Sequence, residues 1–384
     1  MILPPAKLGL LGGGQLGRYF VMAAHELGYE VIVLDPDPDS VAGRIADEHL
    51  VASYEDEKAL AHFAGSCKVA TTEFENVPSG SLAKLEEYIP VRPGARIVEI
   101  CQERLLEKSF FSMQGLPHAP FAAVRCEDDI MKAESGLFPG ILKISRSGYD
   151  GKGQAFVKDR EAALEAFSSF EGASCILERK LPLEMEASMI LARDHAGNCV
   201  TYPLAENHHK DGILDFSLVP AAVSPEIEEE IRRTAQVIAE KLDYVGLLAI
   251  EFFIVGGKLF LNELAPRPHN SGHYSLDACI TSQFEQQVRA VCGLPLGNTE
   301  LLSDAAMFNL LGDLWFGNEE SGEPDWSKLL AADGLKLHLY GKKKARPGRK
   351  MGHFTILGKD ELAKAGREIR EGLTSIHAFS REAS

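Results

Sequence analysis

Lys143-Ile144-Ser145-Arg146-Ser147-Gly148-Tyr149-Asp150-Gly151-Lys152-Gly153-Gln154 is the stretch on which the reading of the whole chain turns. Lys143 lies on an apolar strand from Ile141 to Ile144, and glycines at 148, 151 and 153 free the backbone that follows. Such a loop lets several N–H groups converge on phosphate oxygens, while Lys143 and Lys152 offer point charges to the same group. The spacing is not G-x-x-x-x-G-K-[ST], so this is not a P-loop. A glycine-rich hairpin turn with solvated lysines is the plain alternative.

Downstream, Leu247 to Val255 and Lys258 to Glu263 read as two strands joined through Gly256-Gly257. A three-residue loop sets Glu251 opposite Glu263, whereas a two-residue loop sets Asn262 there. Two carboxylates opposed in an apolar hairpin repel each other, and a cation between them is the natural remedy. Oxygen-only ligands favour magnesium. The alternative is one glutamate inward and one solvated. Just beyond, Ala265-Pro266-Arg267-Pro268-His269-Asn270-Ser271-Gly272-His273 crowds polar groups at the strand end, where an ion-bound phosphate would protrude. Further on, Lys342 to Lys350 holds six cations in nine residues, either a solvated turn or an anion clamp.

Upstream, Leu8 to Leu11, a glycine turn, a helix from about Gln15 to Leu27 and Val31 to Leu34 form a β-α-β pattern. Gly12-Gly13-Gly14-Gln15-Leu16-Gly17 fits G-x-G-x-x-G, and Asp35 follows 18 residues after Gly17. The dinucleotide fingerprint is formally satisfied, which makes a dehydrogenase the obvious rival; a phosphate site or a tight structural turn are the other readings. Val69 to Thr72, a helix from about Ser79 to Glu87 and a strand-like Pro90 to Arg92 continue the unit.

A second unit begins near Cys101 with a charged helix through Phe111, then turns to strands up to residue 265, interrupted by one helix from Pro225 to Leu242. The last segment carries Leu335 to Tyr340 and His353 to Leu357 as strands around the basic turn. The expected class is therefore α/β and α+β, with units at 1–100, 101–294 and 295–384.

Composition narrows the function. The net charge of −16 repels polyanions, so nucleic acid and anionic membranes are poor partners and any phosphate site is a local feature. No 18 apolar residues run together, and Met1 to Gly9 lacks the apolar core of a signal peptide, so a cytoplasmic protein is expected. Seven scattered cysteines without a C-x-x-C pair read as reduced and structural.

Taken together, Lys143, SGYDGKGQ (147–154), ILERKLPLEME (176–186), YPLAENHHKDGI (202–213), NELAPRPHNSGH (262–273) and ARPGRKMGH (345–353) resemble the N5-carboxyaminoimidazole ribonucleotide synthetases of the ATP-grasp superfamily. The resemblance runs from Gly9 to about Leu357 and implies an ATP-grasp fold with an N-terminal Rossmann-like pre-ATP-grasp domain and a small C-terminal β-rich domain. The sister formate-dependent glycinamide ribonucleotide transformylases typically have a serine-rich lid and an aspartate at the position of Asn270.

The resemblance further implies that Arg104, Lys143 and the loop Gly148, Tyr149, Asp150, Gly151, Lys152, Gly153, Gln154 contact ATP. Glu178, Arg179, Lys180 and Leu181 would line the adenine pocket and Glu186 the ribose, with His209, Asn262 and Glu263 completing the nucleotide site. Glu251 and Glu263 match magnesium ligands, with Mn2+ able to substitute. Tyr149, Asp150 and Arg267 match the catalytic, bicarbonate-binding residues. Gln15, Leu16, Glu73, Asn270, Ser271, His273, Lys342, Arg349 and Lys350 are the expected contacts of 5-aminoimidazole ribonucleotide, so the glycine turn would hold ribonucleotide and not NAD. The implied assembly is a homodimer. Two departures stand out: Ser147 replaces a common glycine, and His208 beside His209 leaves open which imidazole faces the nucleotide.

Overall fold

The computed structural model describes residues 1–146, 153–316, 322–359 and 361–374. The first unit runs β1 (Lys7–Leu11), α1 (Gln15–Glu26), β2 (Glu30–Leu34), β3 (Glu48–Leu50), α2 (Glu57–Ser66), β4 (Val69–Thr72), α3 (Ser79–Glu86) and α4 (Ala95–Gln102). Its four strands are parallel in the order β3-β2-β1-β4. The chain leaves β1 toward one edge and returns to the other, so the ends of β1 and β4 flank a crevice of the kind where open α/β sheets bind ligands. The expected strand at Pro90–Arg92 is reduced to a single bridge between Ala70 and Val91. Prolines at 90 and 93 lack the N–H groups a longer ladder needs.

The expected helix from Cys101 is also divided. Glu103 is extended at φ −125°, ending α4 and starting α5 (Arg104–Met113). The break lets the Arg104 N–H donate to Ser145 O at 2.9 Å, which fixes Arg104 at the first turn of α5 beside the next sheet.

That sheet is antiparallel: β5 (Phe121–Val124), α6 (Glu127–Lys132), β6 (Gly140–Ile144), β7 (Gln154–Val157), α7 (Arg160–Ser169) and β8 (Cys175–Arg179), in strand order β5-β8-β6-β7. Opposite it lies the larger sheet, built from β9 (Met185–Arg193), β10 (Cys199–Thr201), β11 (Ala205–Lys210), β12 (Ile213–Val219), β13 (Gly246–Val255) and β14 (Lys258–Ala265). Helices α8 (Pro225–Lys241), α9 (Ser275–Ala278) and α10 (Gln283–Cys292) accompany these strands. The sequence reading foresaw only α8 among the helices between residues 141 and 294; α7, α9 and α10 are short and were hidden by polar or alanine-rich composition. Strand β11, Ala-Glu-Asn-His-His-Lys, was hidden for the same reason.

The last strands, β15 (Ala305–Leu311), β16 (Leu335–Leu339) and β17 (Lys350–Leu357), follow with α11 (Ser327–Leu330) and α12 (Leu362–Thr374). They join the larger sheet through β12–β15 pairing, giving the order β14-β13-β9-β11-β12-β15-β17-β16. Helix α10 ties this assembly to the first unit. Its Phe284, Val288 and Val291 pack with Leu16, Tyr19, Phe20 and Ala23, the i, i+3, i+4, i+7 stripe of α1. Among the described residues no helix is long and apolar enough to cross a membrane.

Candidate active site

A cavity of about 1190 Å³ lies where the two antiparallel sheets, the crevice of the first unit and the basic turn meet. One end is made by β6 and β8. Lys143 donates to Glu178 Oε2 at 3.1 Å, and the fully buried Lys108 of α5 stands 3.7 Å from the same oxygen. Burial pushes the Glu178 carboxyl up, but Lys143 and Lys108 outweigh it and hold it at about 2. Its other oxygen, Oε1, is buried with no partner among the described residues, an acceptor on a residue that lines the cavity. Arg179, Lys180 and Leu181 continue the same wall. Across from it His209 Nδ1 meets Glu186 Oε2 at 2.9 Å. The ladder of β11 shifts register between the two imidazoles, and His209 lines the cavity while His208 stacks on Phe216 with ring centroids 4.2 Å apart.

The floor is the acidic hairpin, and both expected registers occur in it. Val255 faces Lys258, so the turn has two residues; beyond Phe252–Leu261 the register shifts, and Ile250 faces Leu264. The bulge leaves Asn262 and Glu263 together opposite Glu251. Glu251 Oε2 accepts from Asn262 Nδ2 at 2.9 Å, and Glu263 Oε2 accepts from Arg104 Nη1 at 3.0 Å. The expected unrelieved repulsion is thus half corrected, because Arg104 already pairs one carboxylate. Burial, followed by the charge of Glu263, pushes the Glu251 carboxyl up. Among the described residues no three acidic, histidine or cysteine side chains converge into a self-sufficient metal cage. Two oxygen-donor carboxylates with one strained toward protonation nonetheless suit Mg2+, which commonly takes one or two carboxylates and completes its shell with water and substrate phosphates.

Arg267 closes this region. Its Nε donates to Glu75 Oε2, which follows β4, and its Nη1 donates to Pro268 O at 3.0 Å. Burial raises Glu75, but Arg267 outweighs it and holds the carboxyl at about 2.

At the far end Gln15 and Leu16, at the start of α1, meet the basic turn: Lys342 donates to Gln15 Oε1 at 2.7 Å and to Lys350 O at 2.7 Å. Arg349 and Lys350 line the cavity with Arg346, while Lys343 turns away to Asp39. Burial, followed by Arg346, lowers the pKa of Arg349. Asn270 also lines the cavity, with both amide atoms buried and without a partner among the described residues.

The glycine turn itself is spent internally. Gly13 N donates to Asp35 Oδ2 at 2.7 Å, Gly14 N to Glu73 Oε1 at 2.7 Å and Gly17 N to Glu73 Oε2 at 3.1 Å. A Cβ on Gly14 would stand 2.4 Å from Glu73 Oε1. Three amides of the turn are thus held by the chain's own carboxylates, which argues against a dinucleotide pyrophosphate there.

Two expected contacts are corrected. Ser271 and His273 are both fully buried and do not line the cavity. Ser271 bonds to Ser188 and His269, and His273 stacks on His353 at 4.4 Å. The 3-10 turn Asn270–Gly272 explains this, since it aims successive side chains in different directions. Gly148, Tyr149, Asp150, Gly151 and Lys152 lie outside the described residues; Gly153 and Gln154 line the cavity. Sequence reasoning missed Lys108, Glu75, His269 and Arg346. Only Arg346 and His269 carried a signal, as members of motifs already singled out.

The chain is 47% identical to the N5-carboxyaminoimidazole ribonucleotide synthase of Brucella melitensis biotype 1, over 92% of this chain and 96% of that one. The chain belongs to the N5-carboxyaminoimidazole ribonucleotide synthase family. Family models agree along its length: a ribonucleotide synthetase preATP-grasp domain at 5–102, an ATP-grasp domain at 109–284 and a phosphoribosylaminoimidazole carboxylase C-terminal domain at 305–366. The fold is similar to that of an N5-carboxyaminoimidazole ribonucleotide synthetase crystallised as an ADP complex, with TM-score 0.90, 41% identity and 97% of each chain covered. It is also similar to the Aspergillus clavatus enzyme in complex with ADP and 5-aminoimidazole ribonucleotide, at TM-score 0.88 and 26% identity, covering 97% of this chain and 99% of that one. The family and ATP-grasp fold expected from the motifs are borne out.

Proposed function

We infer that the chain is an ATP-dependent carbon–nitrogen ligase of purine biosynthesis, which carboxylates the exocyclic amine of 5-aminoimidazole ribonucleotide. The observation that carries this reading is one cavity that joins a lysine-lined nucleotide wall, a carboxylate floor and a basic, amide-bearing far end.

In the first step a bicarbonate oxygen attacks the γ-phosphorus of ATP, giving carboxyphosphate and ADP. In the second the amine takes up the carboxyl group and phosphate leaves. The first step needs alignment and charge neutralisation more than covalent help from the protein. Lys143 faces the triphosphate and Arg267, with Tyr149 and Asp150, the bicarbonate. Glu178, Arg179, Lys180 and Leu181 hold adenine; Glu186 and His209 hold the ribose side; Asn262 and the 148–154 loop complete the nucleotide site. Glu251 and Glu263 would hold Mg2+, which supplies positive charge to the phosphates. Gln15, Leu16, Glu73, Asn270, Lys342, Arg349 and Lys350 receive the ribonucleotide, with Glu73 acting partly through the amides it already binds. Carboxyphosphate is labile in water, so the second step requires that solvent be kept from it until the amine is in place.

We place the enzyme in the cytoplasm as a homodimer, with domains at 1–100, 101–294 and 295–384. The deciding assay is ADP release with and without 5-aminoimidazole ribonucleotide and bicarbonate. Turnover on both co-substrates is expected; turnover on formate plus glycinamide ribonucleotide instead would overturn the assignment. Sedimentation at micromolar concentration tests the dimer.

A further inference from the structure

Two lysines stand against one carboxylate at the end of the cavity made by β6 and β8. Ile141 lies opposite Glu178 and Lys143 opposite Ile176, so Lys143 and Glu178 share a face of the sheet as diagonal neighbours. Lys143 donates to Glu178 Oε2 at 3.1 Å. Lys108 arrives from α5, one turn after Arg104, and the face these two share runs along β14. Arg104 pairs Glu263, while Lys108 Nζ donates to Asn262 O at 2.7 Å and Leu261 O at 3.3 Å. The same nitrogen stands 3.7 Å from Glu178 Oε2, too far for a hydrogen bond but near enough to act by charge where little water screens it.

The two lysines are not equivalent. Lys143 lines the cavity, and 12% of its side chain is open. Lys108 is fully buried, does not line the cavity and is pinned by its two carbonyls. A buried ammonium is costly to keep: burial lowers the Lys108 pKa, and the charge of Glu178 is the first force opposing that. Packing alone would favour an apolar side chain of similar volume at this position. Arg104 is no substitute beside Glu178, because it is already committed to Glu263.

We propose that Lys108 is a positioning residue for Lys143: it is the permanent counterion of Glu178, and it thereby leaves Lys143 free to turn from Glu178 to the phosphates of the incoming nucleotide. This rests on the reading that Lys143 faces the triphosphate. Without Lys108, the cation beside the buried Glu178 carboxylate would also be the one the nucleotide needs, and binding would have to break an ion pair that water cannot replace. With both lysines the carboxylate keeps a cation throughout, and its Oε1 remains an acceptor on the cavity wall. Because Lys108 also holds the carbonyls of Leu261 and Asn262, it ties that wall to the strand carrying Asn262 and Glu263.

Calorimetric affinities for adenosine and for the non-hydrolysable β,γ-imido analogue of ATP test this. Their ratio is the readout, since it cancels any change in the adenine contact itself. Lys143→Met should cut the preference for the analogue about 10- to 100-fold, the range of one charge-assisted bond. Lys108→Met should cut it similarly, because Glu178 then retains Lys143. The deciding variant combines Lys108→Met with Glu178→Gln: a neutral partner no longer retains Lys143, so the preference should return to within about twofold of the parent. Lys108→Gln, whose amide still donates, takes the place of Lys108→Met in this cycle if the latter does not fold. A double variant as poor as Lys108→Met, or a Lys108→Met with the parent's preference, overturns the positioning role. A Lys143→Met with the parent's preference refutes the reading of Lys143 beneath it, and the proposal with it.

Discussion

The glycine turn and the acidic hairpin carry opposite lessons. Gly12 to Gly17 is the stronger motif on paper, yet the amides of Gly13, Gly14 and Gly17 are taken by Asp35 and Glu73. The hairpin is a weaker motif, yet it leaves Glu251 partly buried, repelled by Glu263 and pushed toward protonation. Those three glycine amides are structural, and what the turn offers the cavity is Gln15 and Leu16. A site whose groups remain in conflict is prepared for something the chain does not supply. What distinguishes binding from architecture here is therefore how its donors and charges are spent, a matter the residue pattern alone does not decide.

The largest effect should come from the hairpin. Glu263→Gln and Glu251→Gln are each expected to abolish turnover while preserving the fold, since each removes half of the proposed ion site. They should differ in stability without magnesium. Arg104 pairs Glu263, so losing that charge strands the guanidinium and lowers the melting temperature. Glu251 faces the neutral Asn262 amide, a repelling Glu263 and an attracting His209, so its amide should change the melting temperature less than the loss of Glu263 does. Melting of both variants in chelator checks this, and a stabilised Glu263→Gln would reverse the asymmetry.

Next in size is Arg267→Ala, expected to lower kcat by about 10²- to 10³-fold, as for other lost charge-stabilising donors, with ADP affinity little changed. If nucleotide affinity falls as steeply as turnover, Arg267 belongs to the nucleotide wall. Its partner sets a pH signature. Glu75 is held at about 2 against an ordinary 4.5, so the pair contributes stability above pH 4.5 that is lost as pH falls toward 2. Glu75→Gln should be less stable than the parent at pH 6 and converge with it in acid. Melting curves from pH 6 to 3 decide it.

Much of this was legible in the sequence for a physical reason: ligand-facing residues sit at strand ends and glycine turns, which composition marks. Lys143, Arg267 and Asn270 were singled out that way and Glu178 through the family resemblance, and all four line the cavity. Glu251 and Glu263 were found only as alternatives, because the bulge that sets both Asn262 and Glu263 against Glu251 has no residue signature. Lys108 escaped because a lysine in a charged helix looks solvated, and only the tertiary fold buries it against the carbonyls of Leu261 and Asn262. Ser271 and His273 were over-read, since adjacency in a motif says nothing about direction within a 3-10 turn.

Arg349→Ala should have a moderate effect that stays at one end of the cavity. Charge-assisted bonds to a phosphate are worth about 1.5 to 3 kcal/mol, so the apparent KM for 5-aminoimidazole ribonucleotide should rise roughly ten- to a hundredfold. ADP affinity should hold, because Lys143 lies at the opposite end, and Lys at 349 should recover only part of the loss. An unchanged KM would return the basic turn to a solvated loop.

The smallest effect sharpens the comparison most, because the two readings of the glycine turn disagree about Asp35. In a dinucleotide enzyme the acid at this position binds the ribose, and its loss would destroy cofactor affinity. Here its Oδ2 accepts from Gly13 N at 2.7 Å and Tyr54 OH at 2.8 Å, and its Oδ1 from Asp37 N at 2.8 Å. Asp35→Asn replaces one of those acceptors with a donor, which faces an N–H or O–H that cannot accept from it in the same geometry. The loss should be one charge-assisted bond, about 2 kcal/mol, seen as a melting temperature lowered by a few degrees. Kinetic constants for ATP, bicarbonate and ribonucleotide should stay within about twofold, because the parent Asp35 spends its oxygens on the turn and lines no part of the cavity. A variant that melts normally but loses substrate affinity would mean that Asp35 itself contacts ligand.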